Sequence, residues 1–152
     1  MTTLREQIDT SLPPGEAFAF IADFSNAAQW DPGVASSERI ETGSGAGPVG
    51  MGSRFRLGVR MGGRVTPMEY TISTWDPPHR VVLAGAGSGV EAVDDIRFQP
   101  TPSGTRIDYV ADIRLTGLLR LVSPFAGAAF ATIARNARQG MERALDQRAA
   151  AR

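Results

Sequence analysis

The sequence predicts an α+β fold in which a curved, seven-stranded antiparallel sheet is covered by a long C-terminal helix. Two observations lead to this prediction. Between residues 34 and 114, six segments with strand character follow one another and are separated by short turns rich in Gly or Pro. A stripe of apolar residues at helical spacing then follows, near the end of the chain. The short connections favour antiparallel pairing, because parallel strands need long crossovers.

A first strand and two short helices precede these six segments. Over residues 4–10, apolar and polar residues alternate, which is the period of a half-buried strand. Residues 13–22 predict a helix of about three turns, because prolines and an acid suit its first turn. Asp23 or Ser25 can cap a second short helix, which Pro32 would end.

The six later strands are predicted at residues 34–41, 53–61, 64–75, 80–84, 90–98 and 105–114. The clearest alternation lies in the second of them, where Phe55, Leu57 and Val59 face away from the neighbouring arginines. Such a pattern is typical of a sheet with one covered face and one solvated face. An anion-binding or nucleic-acid face is the alternative for the arginines, but no aromatic residues are interleaved to stack bases.

The last helix is predicted to begin near Ser123, because Pro124 is tolerated only in a first helical turn. Residues 118–122 are then either a separate turn or a kinked leading piece. The apolar stripe of this helix is rich in alanine and contains Gly140 in its path. Small residues facing a curved sheet leave space, so we expect a cavity between helix and sheet. The stripe comprises Phe125, Ala129, Ile133, Ala137, Met141, Ala144 and Leu145.

Length and composition indicate one domain spanning residues 1–152, with 42% apolar and 21% charged residues, as in an ordinary soluble globule. Sixteen Lys and Arg balance sixteen Asp and Glu, so no overall field favours nucleic acid or an anionic membrane. A neutral, apolar small molecule is the simpler partner.

Cysteine is absent, which excludes disulfides, thiolate metal sites and cysteine nucleophiles. The N-terminus lacks the apolar region of a secretory signal, and no apolar run reaches the length of a membrane span. We therefore expect a cytoplasmic protein without stable membrane insertion. We expect neither a metal nor another cofactor, and the protein can be a monomer or a homodimer.

Local patterns of turn and core residues lie at residues 8–18, 30–34, 70–80, 96–106 and 117–119. Together with the order of the elements, these patterns resemble the START/SRPBCC superfamily, and in particular its polyketide cyclase/dehydrase and lipid-transport branch. The resemblance covers essentially the whole chain. It implies the helix-grip fold and a cavity for an apolar ligand. Members of the superfamily bind lipids, polyketides or sterols, and some are cyclases, dehydrases or co-chaperone modules, so a pocket is implied more firmly than a reaction.

Three polar side chains are candidates for the interior of this cavity. Asp94 shares a strand face with Ile96 and Phe98, and a carboxylate there would have a raised pKa and could act as an acid or base or hold a ligand hydroxyl. The alternative is that Asp94 starts the strand and bonds a backbone amide or faces solvent. Tyr70 and Tyr109 also point inward and offer an O–H to a ligand, unless they only pack in the core.

No catalytic residue is assigned. The candidate ligand-binding residues are Phe55, Leu57, Val59, Met68, Tyr70, Ile72, Asp94, Phe98, Tyr109, Phe125, Ile133 and Met141.

Two further features are assigned no catalytic or cofactor role. Residues 45–50 match the spacing G-x-G-x-x-G, but a strand follows and Pro48 removes an amide, so we expect a hairpin loop near the cavity mouth instead of a nucleotide site. His79 is the only histidine and sits in a Pro-rich turn, where solvent exposure is expected in place of a role as general base.

The leading functional hypothesis is binding of a hydrophobic or aromatic small molecule, lipid or polyketide-like, between the sheet and the last helix. The first alternative is a polyketide cyclase/dehydrase-type enzyme in which Tyr70, Tyr109 or Asp94 polarises a carbonyl or moves a proton. The second is a co-chaperone-like interaction module, which requires an exposed apolar patch and a filled interior.

Overall fold

A computed structural model describes residues 1–40, 47–125 and 127–152, with only the backbone described at residues 122–125. In chain order the strands are β1 (Thr2–Thr10), β2 (Val34–Ile40), β3 (Arg54–Met61), β4 (Arg64–Asp76), β5 (Arg80–Gly87), β6 (Val90–Thr101) and β7 (Gly104–Leu115). The helices are α1 (Pro14–Ile21), α2 (Ala27–Trp30) and α3 (Gly127–Ala150), with 3₁₀ helices at Phe24–Asn26 and Gly117–Phe125.

All seven strands form one antiparallel sheet in the order β1-β7-β6-β5-β4-β3-β2. From β2 to β7 each strand pairs with its neighbour in sequence, whereas β1 crosses to pair with β7 along its whole length. The register shifts between Val34 and Ser36 and again between Ile72 and Thr74. Such irregularities bend a strand and increase its twist, which lets the sheet curve around its contents. The predicted fold class is confirmed.

The two faces of the sheet differ as the alternation in β3 predicts. Ile8, Phe55, Leu83, Ile96 and Ile107 are at most 1% exposed on the inner face. On the outer face the arginines form cross-strand ion pairs, which are Arg54 with Glu69, Arg56 with Glu38 and Arg80 with Asp95.

The helices divide the inner face into two regions. Over one end of the sheet, α1 and the first 3₁₀ helix pack closely, with Phe18 lying edge-on to Phe98 at 5.2 Å between ring centroids. Phe24 lies 6.4 Å from Phe55 in the same layer. Helix α3 runs along β1 and against α2 at the other end. The first region is filled with side chains, whereas the second encloses the cavity described below.

The start of the last helix differs from the prediction. Residues Gly117–Phe125 form a 3₁₀ helix and α3 begins at Gly127, not near Ser123. Pro124 lacks an N–H and its ring crowds the preceding turn, which disfavours an α-helix through this segment.

The inward face of α3 also differs from the predicted stripe in its first half. Phe130 is buried, whereas Ala129 is exposed and Ile133 is 38% exposed. Most of the predicted positions are four residues apart, and four residues of an α-helix exceed one full turn by about 40°. Side chains at this spacing therefore rotate progressively away from the buried face. Met141, Ala144 and Leu145 are buried as predicted.

Candidate functional site

A cavity of about 150 Å³ lies between α3, α2 and the inner face of the sheet. Its walls are mostly apolar side chains, contributed by β1, β3, β4, β6, β7 and both helices. Of the predicted ligand-binding residues, those that line it are Leu57, Val59, Met68, Tyr70, Asp94, Tyr109, Ile133 and Met141.

The other predicted site residues do not line the described cavity. Phe55, Ile72 and Phe98 point to the inner face as expected, but they are buried in the core at the end of the sheet that α1 and Phe24 cover. The side chain of Phe125 lies outside the described residues.

Asp94 and Tyr109 form a hydrogen-bonded pair in the cavity wall. In the β6–β7 register, Asp94 is opposite Ala111 and Tyr109 is opposite Ile96, so the two side chains are diagonal neighbours on the inner face. The Tyr109 hydroxyl donates to Asp94 Oδ2 at 2.5 Å. Asp94 is only 7% exposed, so the alternative of a solvent-facing carboxylate at the strand start is wrong.

Tyr70 reaches this pair from β4 because β5 has a glycine in between. A Cβ on Gly85 would lie 2.5 Å from Tyr70 Cε1 and 2.7 Å from Cζ, so the ring crosses β5 where side-chain space is free. Tyr70 is 7% exposed. Among the described residues, its hydroxyl has no hydrogen-bond partner, and it lines the cavity.

Helix α2 and the residue that follows it add two polar groups that the sequence-based site did not include. The Asp31 carboxylate lies in the cavity wall, where its Oδ1 accepts a hydrogen bond from the Gly33 amide at 2.8 Å. Trp30 also lines the cavity, edge-on to the Tyr109 ring at 6.1 Å between centroids. Its buried Nε1 has no hydrogen-bond partner in the described part of the chain. Trp30 and Asp31 come from a short helix, where strand alternation gives no signal.

Burial dominates the electrostatics of this polar cluster. It raises the pKa of Asp94 to about 7, the hydrogen bond from Tyr109 opposes the shift, and the charges of Asp31 and Asp112 reinforce it. Burial likewise raises the pKa of Asp31, against the lowering effect of the Gly33 amide. The pKa values of Tyr70 and Tyr109 are raised well above the usual range, first by burial and then by Asp94, so both phenols remain donors at neutral pH.

The cations at this site lie at the rim and are already engaged. Arg60 donates from Nη1 to the Pro32 carbonyl at 2.7 Å. Arg138 lies 3.3 Å from Glu6 and 2.7 Å from Glu142. Along residues 1–40, 47–125 and 127–152, neither Asp94 nor Asp31 has an arginine partner.

His79 and the described part of the G-x-G-x-x-G segment lie away from the cavity. His79 is in the turn between β4 and β5, where its amide donates to the Asp76 carbonyl at 2.7 Å, and it does not line the cavity. Of the G-x-G-x-x-G segment, residues 45–46 lie outside the described residues. Val49 lies beside Phe18 and Trp75, near α1, so the prediction that this loop lies near the cavity mouth is wrong for its described part.

Within the described ranges, no group of three or more His, Asp or Glu side chains is placed to hold a metal ion. No helix in the same part of the chain has the length and apolar character needed to cross a bilayer.

Comparison with solved structures shows the fold. A START superfamily protein from Mycobacterium smegmatis is 15% identical, with a TM-score of 0.71 over 96% of this chain and 95% of that one. The protein TTHA0849 of Thermus thermophilus is 16% identical, with a TM-score of 0.75 over 95% of this chain and 97% of its own. The Zhui aromatase/cyclase of a Streptomyces species is 13% identical, with a TM-score of 0.71 over 95% and 90%.

In sequence, the search of curated proteins finds no significant match. The chain does match, over residues 1–151, the family described as polyketide cyclase / dehydrase and lipid transport. A match of this length covers every strand and helix that forms the cavity. The protein therefore belongs to the polyketide cyclase / dehydrase and lipid transport family.

Proposed function

We propose that the protein binds a compact, mostly apolar small molecule in the cavity between the sheet and α3. The observation that carries this proposal is the cavity itself, whose apolar walls converge on a small polar cluster at Asp94, Tyr109 and Tyr70. Apolar walls with a few placed polar groups are the usual character of small-molecule sites. Its volume of about 150 Å³ is on the scale of cavities that admit a benzene ring.

The family and the fold support this reading. The family description includes lipid transport, and one structural neighbour is an aromatase/cyclase. The family description and this neighbour are both compatible with an apolar ligand. The interaction-module alternative requires a filled interior, and the cavity argues against it.

A pair of substitutions on α3 tests the proposal. Ala134 lines the cavity, whereas Ala131 lies one turn earlier and is exposed. We expect 4-(dimethylamino)benzonitrile, a single-ring dye that responds to the polarity of its surroundings, to gain fluorescence on binding to the unmodified protein and to Ala131→Phe. In Ala134→Phe the new ring should occupy the cavity and abolish the gain.

Circular dichroism of both variants checks that the fold is intact. Equal dye binding in the two variants would place the dye outside the cavity and contradict the proposal. Native mass spectrometry of the purified protein, followed by denaturation, would identify any retained compound and its chemical class.

A second candidate is acid–base catalysis of the cyclase or dehydrase type. The observation that favours it is a buried carboxyl group with its pKa at about 7, hydrogen-bonded to a phenol inside a cavity. A carboxyl group of that pKa is well placed to exchange protons near neutral pH. In a dehydration, Asp94 would take a proton from the carbon next to a carbonyl, and the electron pair of that C–H bond would form the C=C bond as the bond to the β-hydroxyl breaks. Asp94 would then return the proton to the departing hydroxyl, which leaves as water.

The test substrate for this candidate is 4-hydroxy-4-phenylbutan-2-one, whose loss of water gives a conjugated enone that absorbs in the ultraviolet. We expect catalysed formation of the enone, abolished in Asp94→Asn while dye binding is retained. If the variant loses dye binding and turnover together, or the native protein gives no rate above buffer, the catalytic candidate has no support.

A further inference from the structure

The polar cluster also restricts what the ligand can be, and this inference rests on the proposed binding function. We propose that the cavity selects an apolar molecule carrying a hydroxyl group, which donates to Asp94 and accepts from Tyr70, and that it discriminates against the corresponding carboxylate.

The hydrogen-bonding capacity left in the cluster points to a group that both donates and accepts. Asp94 uses Oδ2 for the Tyr109 hydroxyl, and its Oδ1 has no partner among the described residues. Trp30 Nε1, in the same wall, is a buried donor without a partner in the described part of the chain. The Tyr70 hydroxyl is a second donor that lines the cavity and makes no side-chain hydrogen bond among the described residues. A buried polar group left unpaired is costly, so a ligand that completes these bonds gains affinity.

A hydroxyl group matches this set better than an amine does. The oxygen of a hydroxyl can donate one hydrogen bond and accept others. An ammonium group has donors only, so it would satisfy Asp94 but leave Tyr70 without an acceptor. An apolar molecule with no polar group would leave both unpaired.

The charges around the cavity disfavour an anion. Asp94 and Asp31 both lie in its wall, and Glu6 is at the rim. The rim arginines are held by Pro32, Glu6 and Glu142, so within the described residues no cation is positioned to meet a carboxylate beside Asp94. An anion brought there would lose its hydration and face like charges.

A set of ligands with one common body tests the proposal. Isothermal titration calorimetry at pH 7.5 would compare propylbenzene, 4-propylphenol, 4-propylbenzylamine and 4-propylbenzoate. We expect 4-propylphenol to bind about tenfold more tightly than propylbenzene, as one or two net hydrogen bonds would give. The benzoate should bind at least about tenfold more weakly than propylbenzene, and the amine should not exceed the phenol.

Three variants test whether the order of ligand affinities depends on Tyr70 and Asp94. Tyr70→Phe should reduce the preference for the phenol to about twofold or less. Asp94→Asn should remove most of the discrimination against the benzoate. Asp95→Asn is the matched control, because Asp95 is the next residue on β6 but lies on the outer face, paired with Arg80 at 2.8 Å. It should leave the order unchanged, and propylbenzene affinity reports whether each variant keeps its cavity.

The possible results separate the two proposals. The hydroxyl inference is overturned, while the binding function stands, if propylbenzene and the phenol bind equally or if the amine binds best. It is also overturned if the preference for the phenol stays about tenfold in Tyr70→Phe, or if the discrimination against the benzoate is unchanged in Asp94→Asn. If none of the four compounds binds, the proposed binding function fails and this inference fails with it.

Discussion

Asp94 shows how a single residue acquires its properties from its neighbours. Strand alternation places its side chain on the inner face, but the raised pKa depends on the cover supplied by α2 and α3 and on Asp31 nearby. The same carboxyl group on the outer face, Asp95, has its pKa lowered by the hydrogen bond from Arg80. Adjacent aspartates in one strand thus differ in acidity because they point to opposite sides of the sheet.

The raised pKa of Asp94 predicts a loss of stability with rising pH. The folded-state pKa of about 7 exceeds the reference value of 3.8, so the folded state holds a proton that the unfolded chain has released over this window. This contribution to the free energy of unfolding should be fully present below pH 3.8 and lost as the pH rises through about 7. The total loss should be about 4 kcal/mol.

Asp94→Asn should remove this contribution. Urea unfolding at pH 5 and pH 8 would measure it, and the native protein should lose more free energy of unfolding between these conditions than the variant does. Asp31, Tyr70 and Tyr109 face the same cavity, with Glu6, Arg60 and Arg138 at the rim, and all are present in both proteins. Parallel losses in the two proteins would show that Asp94 does not titrate in this range.

At the scale of elements, the distance between α3 and the rest of the fold depends on Gly140. A Cβ at this position would lie 2.0 Å from the backbone oxygen of Trp30 and 3.0 Å from the Pro32 ring. Helix α3 therefore approaches the end of α2 more closely than any side chain would allow. This contact brings the helix against the cavity wall that contains Trp30 and Asp31.

Gly140→Ala should destabilise the protein by at least about 2 kcal/mol, although alanine is the better helix former by about 1 kcal/mol. Chemical unfolding would measure the change. Gly15→Ala is the matched control in α1, since a Cβ there meets nothing within 4 Å, and it should be neutral or slightly stabilising. A Gly140→Ala protein as stable as the native one would mean that α3 does not pack this closely.

At the scale of the whole molecule, the two ends of the chain hold each other in place. Strand β1 pairs with β7 from Thr2 to Thr10, and α3 packs along β1. On the surface, Arg138 of α3 lies 3.3 Å from Glu6 of β1, and Arg152 lies 3.2 Å from Glu16 of α1. The first and last elements therefore pack directly against each other.

The packing of the first and last elements against each other predicts that residues 1–152 unfold as one domain in one cooperative transition. Trp30 reports on the region below α3, and Trp75 reports on the end of the sheet beside α1, where its ring lies 5.0 Å from that of Phe18. Fluorescence of single-tryptophan variants and far-ultraviolet circular dichroism should give the same midpoint. Separate midpoints for the two tryptophans would contradict a single unit.

The sequence by itself determined the fold class, the order of the elements along the chain and the faces of most strands, whereas the pairing of β1 with β7 came from the structure. Each of these depends on local periodicity, because alternation assigns a residue to one face of a sheet whatever lies above it. Tyr70, Asp94 and Tyr109 could therefore be placed inward from the sequence. The resemblance to a known superfamily agreed with the same arrangement.

Only the tertiary structure decided which inward residues meet the cavity. Phe55, Ile72 and Phe98 share the inner face with Tyr70 and Asp94, yet α1 and Phe24 fill the space above them. Trp30 and Asp31 line the cavity because α3 packs against the end of the short helix α2. A contact of this kind leaves no periodic pattern in the sequence. A cavity is a property of the distance between packed layers, and that distance is set by contacts between residues far apart in the chain.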